Sequence, residues 1–420
     1  MKAIALRVYG KMDARLESFE LPDPREDEIL AEVVCDTVCM SSYKLLQQGN
    51  QHKRVPADIA QDSIIIGHEF AGRLLKVGQC WRESYKEGET FTIQPALDTT
   101  ASIKRPGFSF PTLGGDSTHV LFPPHILESG CLLHYEGDAF FKASLSEPMS
   151  CIIGACKNQF HVNMDTYEHH MGIRQGGKTA VLAGCGPMGL GLLDYLLHGP
   201  VNPALIAVTD MNQGRLDRAS GIFEPQNPMR NRIELHYMNS RETNTAAKLM
   251  ECSDGLGFDD VFVLAPIPEL LELADSLLAP DGCINFFAGP TSQDLSAKIN
   301  FYKVHYAGTH VVGTSGGNIR DSLEALDLMA CGKINPAFMI THIGGITAAK
   351  DTTMRLPQLG GGKKLIYTHL DLPLIPLADL PKLGRNSALF AELAQLCDKY
   401  NGLWNSEAEH LLLNKVPKVI

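Results

Sequence analysis

The stretch Thr179-Ala-Val-Leu-Ala-Gly-Cys-Gly-Pro-Met-Gly189 decides how the rest of the chain is read. Thr179 to Ala183 is a short apolar run of the kind that forms a buried strand. It leads into Gly184-x-Gly186-x-x-Gly189 and then into an apolar helix from Met188 to Leu197. Strand, glycine turn and helix in that order form a dinucleotide-binding fingerprint. Gly184 permits the tight turn, Gly186 lets a pyrophosphate approach the backbone, and Gly189 lets helix and strand pack closely. Pro187 and Met188 share the first helical turn, where the positive end of the helix faces the anion. About twenty residues beyond Gly189 the second strand ends in Val208-Thr-Asp210. An aspartate there accepts hydrogen bonds from the adenosine ribose and repels a 2′-phosphate. The expected cofactor is therefore NAD(H) in preference to NADP(H), with Arg215 nearby to soften that preference.

Outward from this point, strands alternate with helices from about 158 to 317. Leu205–Thr209, Asp260–Leu264, Cys283–Ala288 and His310–Val312 read as further strands. Continuous apolar strands in such alternation predict a parallel sheet covered on both faces. The first 150 or so residues are different. Ile29–Cys35 and Gly88–Gln94 are short strand-like runs punctuated by Pro22, Pro24, Gly67, Gly72, Gly78 and Gly114-Gly115. The last hundred residues are mixed, with helices expected at Arg320–Cys331 and Ser387–Tyr400 and a strand at Lys364–Thr368. Helix Ser387–Tyr400 reads as packing material. The pattern has no internal repeat and divides into 1–157, 158–317 and 318–420.

The 420 residues carry 37 Lys and Arg against 48 Asp and Glu, a net charge of −11. That balance argues against nucleic acid or an anionic membrane surface as a partner. With 44% hydrophobic and 20% charged residues the chain reads as globular. No run approaches the ~18 apolar residues of a membrane span. Arg7 interrupts the apolar start and no cleavage site follows, so no signal peptide is expected. The 11 cysteines lack a disulfide-like framework and are expected to be reduced thiols in a cytoplasm.

A second constellation carries chemistry. Cys39 stands in Cys39-Met-Ser-Ser-Tyr-Lys44, His68 in Gly67-His-Glu-Phe-Ala-Gly72, and Glu147 before Pro148. Cysteine, histidine and glutamate are ordinary zinc ligands, and three of them with an open position make a catalytic site. Each also has a bland reading: a buried small thiol, a turn histidine, a surface glutamate.

These motifs, in this order and followed by Ala-Gly-x-Gly-Pro-Met-Gly, resemble the zinc-dependent medium-chain dehydrogenase/reductase family. Gly257-Phe-Asp-Asp-Val, Asp281-Gly-Cys and Ile340-Thr-His342 fit as well. Within the family the resemblance is to the reductases of L-sorbose 1-phosphate, through the 39–44 segment, Asp194-Tyr195 and Gly402-Leu-Trp-Asn. The resemblance implies a doubly wound Rossmann sheet at 158–317. It implies a strand-rich, GroES-like catalytic domain that begins with 1–157 and is completed by 318–420, which includes a C-terminal extension. It implies one catalytic zinc on Cys39, His68 and Glu147, with Glu69 able to exchange onto the metal and Ser41 passing the substrate proton. It implies hydride transfer between nicotinamide and a ketose or polyol phosphate, L-sorbose 1-phosphate to glucitol 6-phosphate, in a homodimer or homotetramer. Three alternatives are an unphosphorylated-polyol dehydrogenase, a silent dinucleotide-binding protein and a zinc-free quinone reductase, the last two disfavoured by the intact Cys39, His68 and Glu147.

The chain departs from the family pattern at Ser42, where an aspartate is usual, and at Lys44, where a histidine is usual. Lys44 thus reads as a proton relay or as a partner of the substrate phosphate. Phe91 to Gly115 contains no cysteine, so no structural zinc is expected. Arg54, Lys104, Arg105 and Lys142 are further basic residues from which a phosphate site could draw. Cys35 reads as a core thiol. His161, His169 and His170 lie in a polar segment expected to be a surface loop or lid.

Overall fold

The computed structural model describes residues 1–96, 104–225 and 233–419. They form two compact units. One comprises Met1–Pro148, Asn318–Ala330 and Pro336–Ile420; the other comprises Met149–Gly317 and Cys331–Asn335.

The second unit is built on six parallel strands, β1 (Lys178–Leu182), β2 (Leu205–Asp210), β3 (Glu234–Asn239), β4 (Phe258–Val263), β5 (Leu278–Phe286) and β6 (His310–Gly313). Their order is β3-β2-β1-β4-β5-β6, the doubly wound arrangement in which the glycine turn after β1 sits at the reversal of strand order. The apolar runs explain it. Ala180, Leu182, Ala207, Val261, Val263 and Ile284 are fully buried in one core with Leu249, Ala274 and Leu277 from the covering helices.

An antiparallel hairpin, Phe160–Asn163 with Glu168–Met171, precedes β1. This corrects the reading of its histidines as one loop. His169 and His170 are exposed, but His161 is buried, with Nδ1 3.0 Å from the Asp281 carbonyl oxygen and Nε2 3.3 Å from Asp260 Oδ1. Burial alone pulls the imidazole pKa down, but the Asp260 carboxylate outweighs this and raises it. The polar composition of the segment conceals such a residue because its partners come from strands a hundred residues away.

The first unit is organised by a largely antiparallel sheet. Its centre is Lys363–Tyr367, Ile29–Val38, Phe70–Val77 and Thr90–Ile93, side by side in that order. Fully buried Ile29, Ala31, Val33, Phe70, Phe91 and Phe122 fill one side. Cys35 is buried within its strand, as is every residue of Ile29–Val38 except Glu32. A hairpin, Lys2–Gly10 with Asp13–Glu20, adds a smaller sheet.

The C-terminal helix Ser406–Lys415 docks through a buried polar clamp. Trp404 Nε1 donates to the Tyr367 hydroxyl at 2.7 Å, and that hydroxyl donates to Glu409 Oε1 at 2.9 Å. The amides of Phe140 and Phe141 donate to the same carboxylate at 2.6 and 3.0 Å. No helix among the described residues is long and apolar enough to cross a membrane.

Candidate active site

The sheet of the first unit brings three chain segments to one place. Lys364 pairs with Val38 and Asp36 with Phe70. Cys39, one residue past the strand end, therefore lies beside Glu69, one residue before its neighbour begins, and beside Lys363 at the start of the third strand. His68 precedes Glu69 in the turn opened by Gly67, whose φ of +94° suits glycine and whose added Cβ would come within 2.5 Å of the Asp116 amide nitrogen.

Ligand atoms of Cys39, His68 and Glu69 all lie within 4.8 Å of one another. Ser41 Oγ is 3.0 Å from Cys39 Sγ and 3.1 Å from His68 Nε2. His68 Nδ1 is buried and has no hydrogen-bond partner among the described residues. Glu147 falls outside the 4.8 Å triad, but it is buried and belongs to the same electrostatic cluster. Burial pushes its carboxyl up to about 7, with Glu69 and Cys39 adding and His68 and Lys363 opposing. A thiol, an imidazole with a ring nitrogen left over, and two carboxylates, all withdrawn from bulk water, form a donor set that fits a borderline-soft divalent cation such as zinc.

Lys363 is the residue that sequence reading missed. It is buried, and its ammonium donates to both carboxylate oxygens of Glu69, while the Thr37 hydroxyl also donates to Glu69 Oε2. Burial disfavours the ammonium, but Glu69, Cys39 and Glu147 outweigh it and push the pKa up. The only local signal is a lysine opening an apolar strand, Lys-Lys-Leu-Ile-Tyr367. Asp36 Oδ1 accepts from the Glu69 amide at 3.1 Å, and Asp36 and Asp116 are both buried and both pushed up, by burial first. Lys44 is half-buried; burial lowers its pKa while Cys39 opposes the shift. Ser42 is buried beside the cysteine turn.

In the second unit the glycine turn meets its expected geometry. Gly186 caps the helix Pro187–His198 at its N-terminus, and Pro187 occupies the first turn. A Cβ on Gly189 would fall 2.0 Å from the Gly184 carbonyl oxygen, so only glycine allows that approach. A Cβ on Gly186 would meet nothing within 4 Å, leaving the helix end open to a diphosphate. Asp210 ends β2, and its carboxylate accepts from the Cys185 amide at 3.2 Å and the Asn212 amide at 2.9 Å. Met188 lies in the same first turn, and the Arg215 side chain is exposed on the helix Gln213–Ile222.

No family model matches the chain. It is 48% identical over 409 residues to the L-sorbose 1-phosphate reductase of Klebsiella pneumoniae, covering 97% of each chain. It is 44% identical over 407 residues to the mannitol-1-phosphate 5-dehydrogenase of Aliivibrio fischeri, covering 97% of this chain and 96% of that one. Its fold matches the crystal structure of 2R,3R-butanediol dehydrogenase from Bacillus subtilis with a TM-score of 0.71 at 19% identity, over 87% of this chain and 99% of that one. Glycine turn, sheet order and full-length similarity converge: the chain belongs to the zinc-dependent medium-chain dehydrogenase/reductase family, together with the L-sorbose 1-phosphate reductase of Klebsiella pneumoniae.

Proposed function

We propose that this protein is a zinc-dependent, NAD(H)-linked oxidoreductase that moves a hydride between nicotinamide and a ketose or polyol phosphate, reducing L-sorbose 1-phosphate to glucitol 6-phosphate. What supports the reading is the largely buried donor cluster of Cys39, His68, Glu69 and Glu147 with the Ser41 hydroxyl against Cys39 and His68. The names of the two full-length relatives, each a phosphorylated sugar or polyol enzyme, support the substrate class.

Cys39, His68 and Glu147 would hold the metal. Glu69 is less suited to be a permanent ligand because Lys363 and Thr37 already occupy its oxygens. Zinc, when bound, polarises a carbonyl and lowers the pKa of an alcohol. The chain's own groups do the rest. Ser41 stands where it can hydrogen-bond the substrate oxygen and pass it a proton as the hydride arrives at carbon. Lys363 offsets the negative charge of Glu69 in a site that already contains a thiol and a second carboxylate. Asp210 faces the ribose and favours NAD(H).

The test is a panel of ketoses, polyols and their phosphates followed by nicotinamide absorbance, with metal analysis of the same preparation. About one zinc per chain and turnover of a ketose phosphate are expected. Full activity without metal, or turnover confined to unphosphorylated substrates, would overturn the reading.

A further inference from the structure

Beside the triad lies a basic corner that none of the residues assigned so far uses. Phe108 is buried, and its ring lies 4.6 Å, centre to centre, from the His68 ring. The Arg54 guanidinium sits over the same Phe108 ring, 5.1 Å from its centre. His52 stacks on Phe108 at 5.8 Å. Two loops are stitched together here, because the Ser109 hydroxyl donates to the Arg54 carbonyl at 2.6 Å and accepts from the Arg105 amide at 3.0 Å. Arg54 and Arg105 are thereby held as neighbours in a half-buried setting.

That arrangement is electrostatically costly as it stands. Burial and the positive charge of Arg105 both act against the Arg54 guanidinium, with a smaller attraction from Glu147 in its favour. Among the described residues Arg54 enters no ion pair. Burial leaves His52 neutral, with its pKa lowered to about 4, so it adds a polar edge without a further cation. The Arg54 guanidinium over Phe108, with Arg105 held on the adjoining loop, offers planar forks of donors that match a dianionic phosphate monoester better than any neutral sugar hydroxyl.

We propose that Arg54, carried on the Phe108 ring, and its neighbour Arg105 form the phosphate subsite of this enzyme and select a ketose or polyol phosphate over its unphosphorylated counterpart. The proposal rests on the oxidoreductase reading above and adds where the phosphate is recognised. Two ring-scale steps from His68 place the Arg54 guanidinium within about 10 Å of the imidazole centre. A phosphate a few bonds from the reacting carbon spans that distance; the phosphates of a nucleotide sugar lie farther off. Lys44, whose charge interacts with Cys39, is left to the metal-side groups.

Arg54→Gln, Arg105→Gln, Arg54→Lys and Lys44→Met are compared with the parent enzyme. The readout is the ratio of kcat/KM for L-sorbose 1-phosphate to kcat/KM for L-sorbose. Each Arg→Gln change should lower that ratio roughly 10- to 100-fold, the effect of one charge-assisted contact. Arg54→Lys, which keeps charge but not the fork, should fall between. Zinc content and NADH affinity should stay at parent values, which separates loss of the subsite from loss of the fold. An unchanged ratio in both Arg→Gln variants, or a collapse confined to Lys44→Met, would overturn the proposal. Calorimetric binding of inorganic phosphate gives an arm independent of turnover. Phosphate bound by the parent and lost in Arg54→Gln supports the subsite even if the substrate panel fails. Normal turnover of L-sorbose 1-phosphate with no arginine effect refutes the subsite and leaves the reaction standing.

Discussion

Replacing Lys363 by Met removes a cation and leaves its partner behind. Glu69 is 1% exposed, and both of its oxygens lose the ammonium, with Thr37 alone remaining as a side-chain donor. A methionine of similar length fills the space, so the cost is electrostatic. Breaking a buried pair from one side costs about 3–5 kcal/mol, because the surviving charge is stranded in low dielectric. For a unit of this size, 1 kcal/mol moves the melting temperature by roughly 2–4 °C, so a fall on the order of 10 °C is expected. Removing both charges is a different matter. Lys363→Met with Glu69→Gln deletes attraction and desolvation penalty together, and should regain most of the loss. The assay is calorimetric melting of the parent, both single variants and the double variant, in zinc-saturated and chelator-treated forms. The chelator-treated set isolates the pair from any change in metal affinity. A loss below about 1 kcal/mol in Lys363→Met, or strict additivity in the double variant, would refute the idea that the ammonium stabilises the core by neutralising Glu69.

Three further outcomes are expected. Ser41→Ala should lower kcat by on the order of 10²-fold, the low end for a lost proton-transfer group, while zinc content measured by atomic absorption stays at about one per chain. NADH should exceed NADPH in kcat/KM because the Asp210 carboxylate is fixed by the Cys185 and Asn212 amides at the end of β2 and meets a 2′-phosphate with like charge; equal use of NADPH would place Asp210 outside the ribose site. Burial raises the Glu409 carboxyl from 4.5 to about 7, so between those values the folded chain binds more protons than the unfolded chain and stability falls as pH rises. The contribution is on the order of 3 kcal/mol; in Glu409→Gln the melting temperature should therefore decline less between pH 5 and 8, and an unchanged slope would show that Glu409 is ionised throughout.

The features legible in the sequence are those whose signal is local. Strand, glycine turn and helix at 179–197 lie within one short window, and the zinc-ligand candidates Cys39 and His68 are flanked by turns that only a few residue patterns make. The structure needed long-range information elsewhere. Lys363 meets Glu69 across 294 positions, and nothing near either residue announces the other. His161 sits in a polar segment whose average describes a surface, while its own partners Asp260 and Asp281 arrive from the sheet. The basic corner at Arg54 is of the same kind, made by two loops 55 residues apart that Ser109 ties together.

The first unit is discontinuous: its sheet takes one set of strands from before Pro148 and others from after Pro336. During synthesis the turn bearing His68 and Glu69 leaves the ribosome long before the strand that opens with Lys363. At ordinary elongation rates of about 5–20 residues per second the interval is on the order of tens of seconds. Through that time Glu69 has no buried counter-charge and the strand Ile29–Val38 has an open edge. Every strand of the second unit's parallel sheet is made before Lys363, so that sheet can form ahead of the completed sheet of the first unit. The half-made sheet is the stage at which the growing chain most needs protection from pairing with a neighbour.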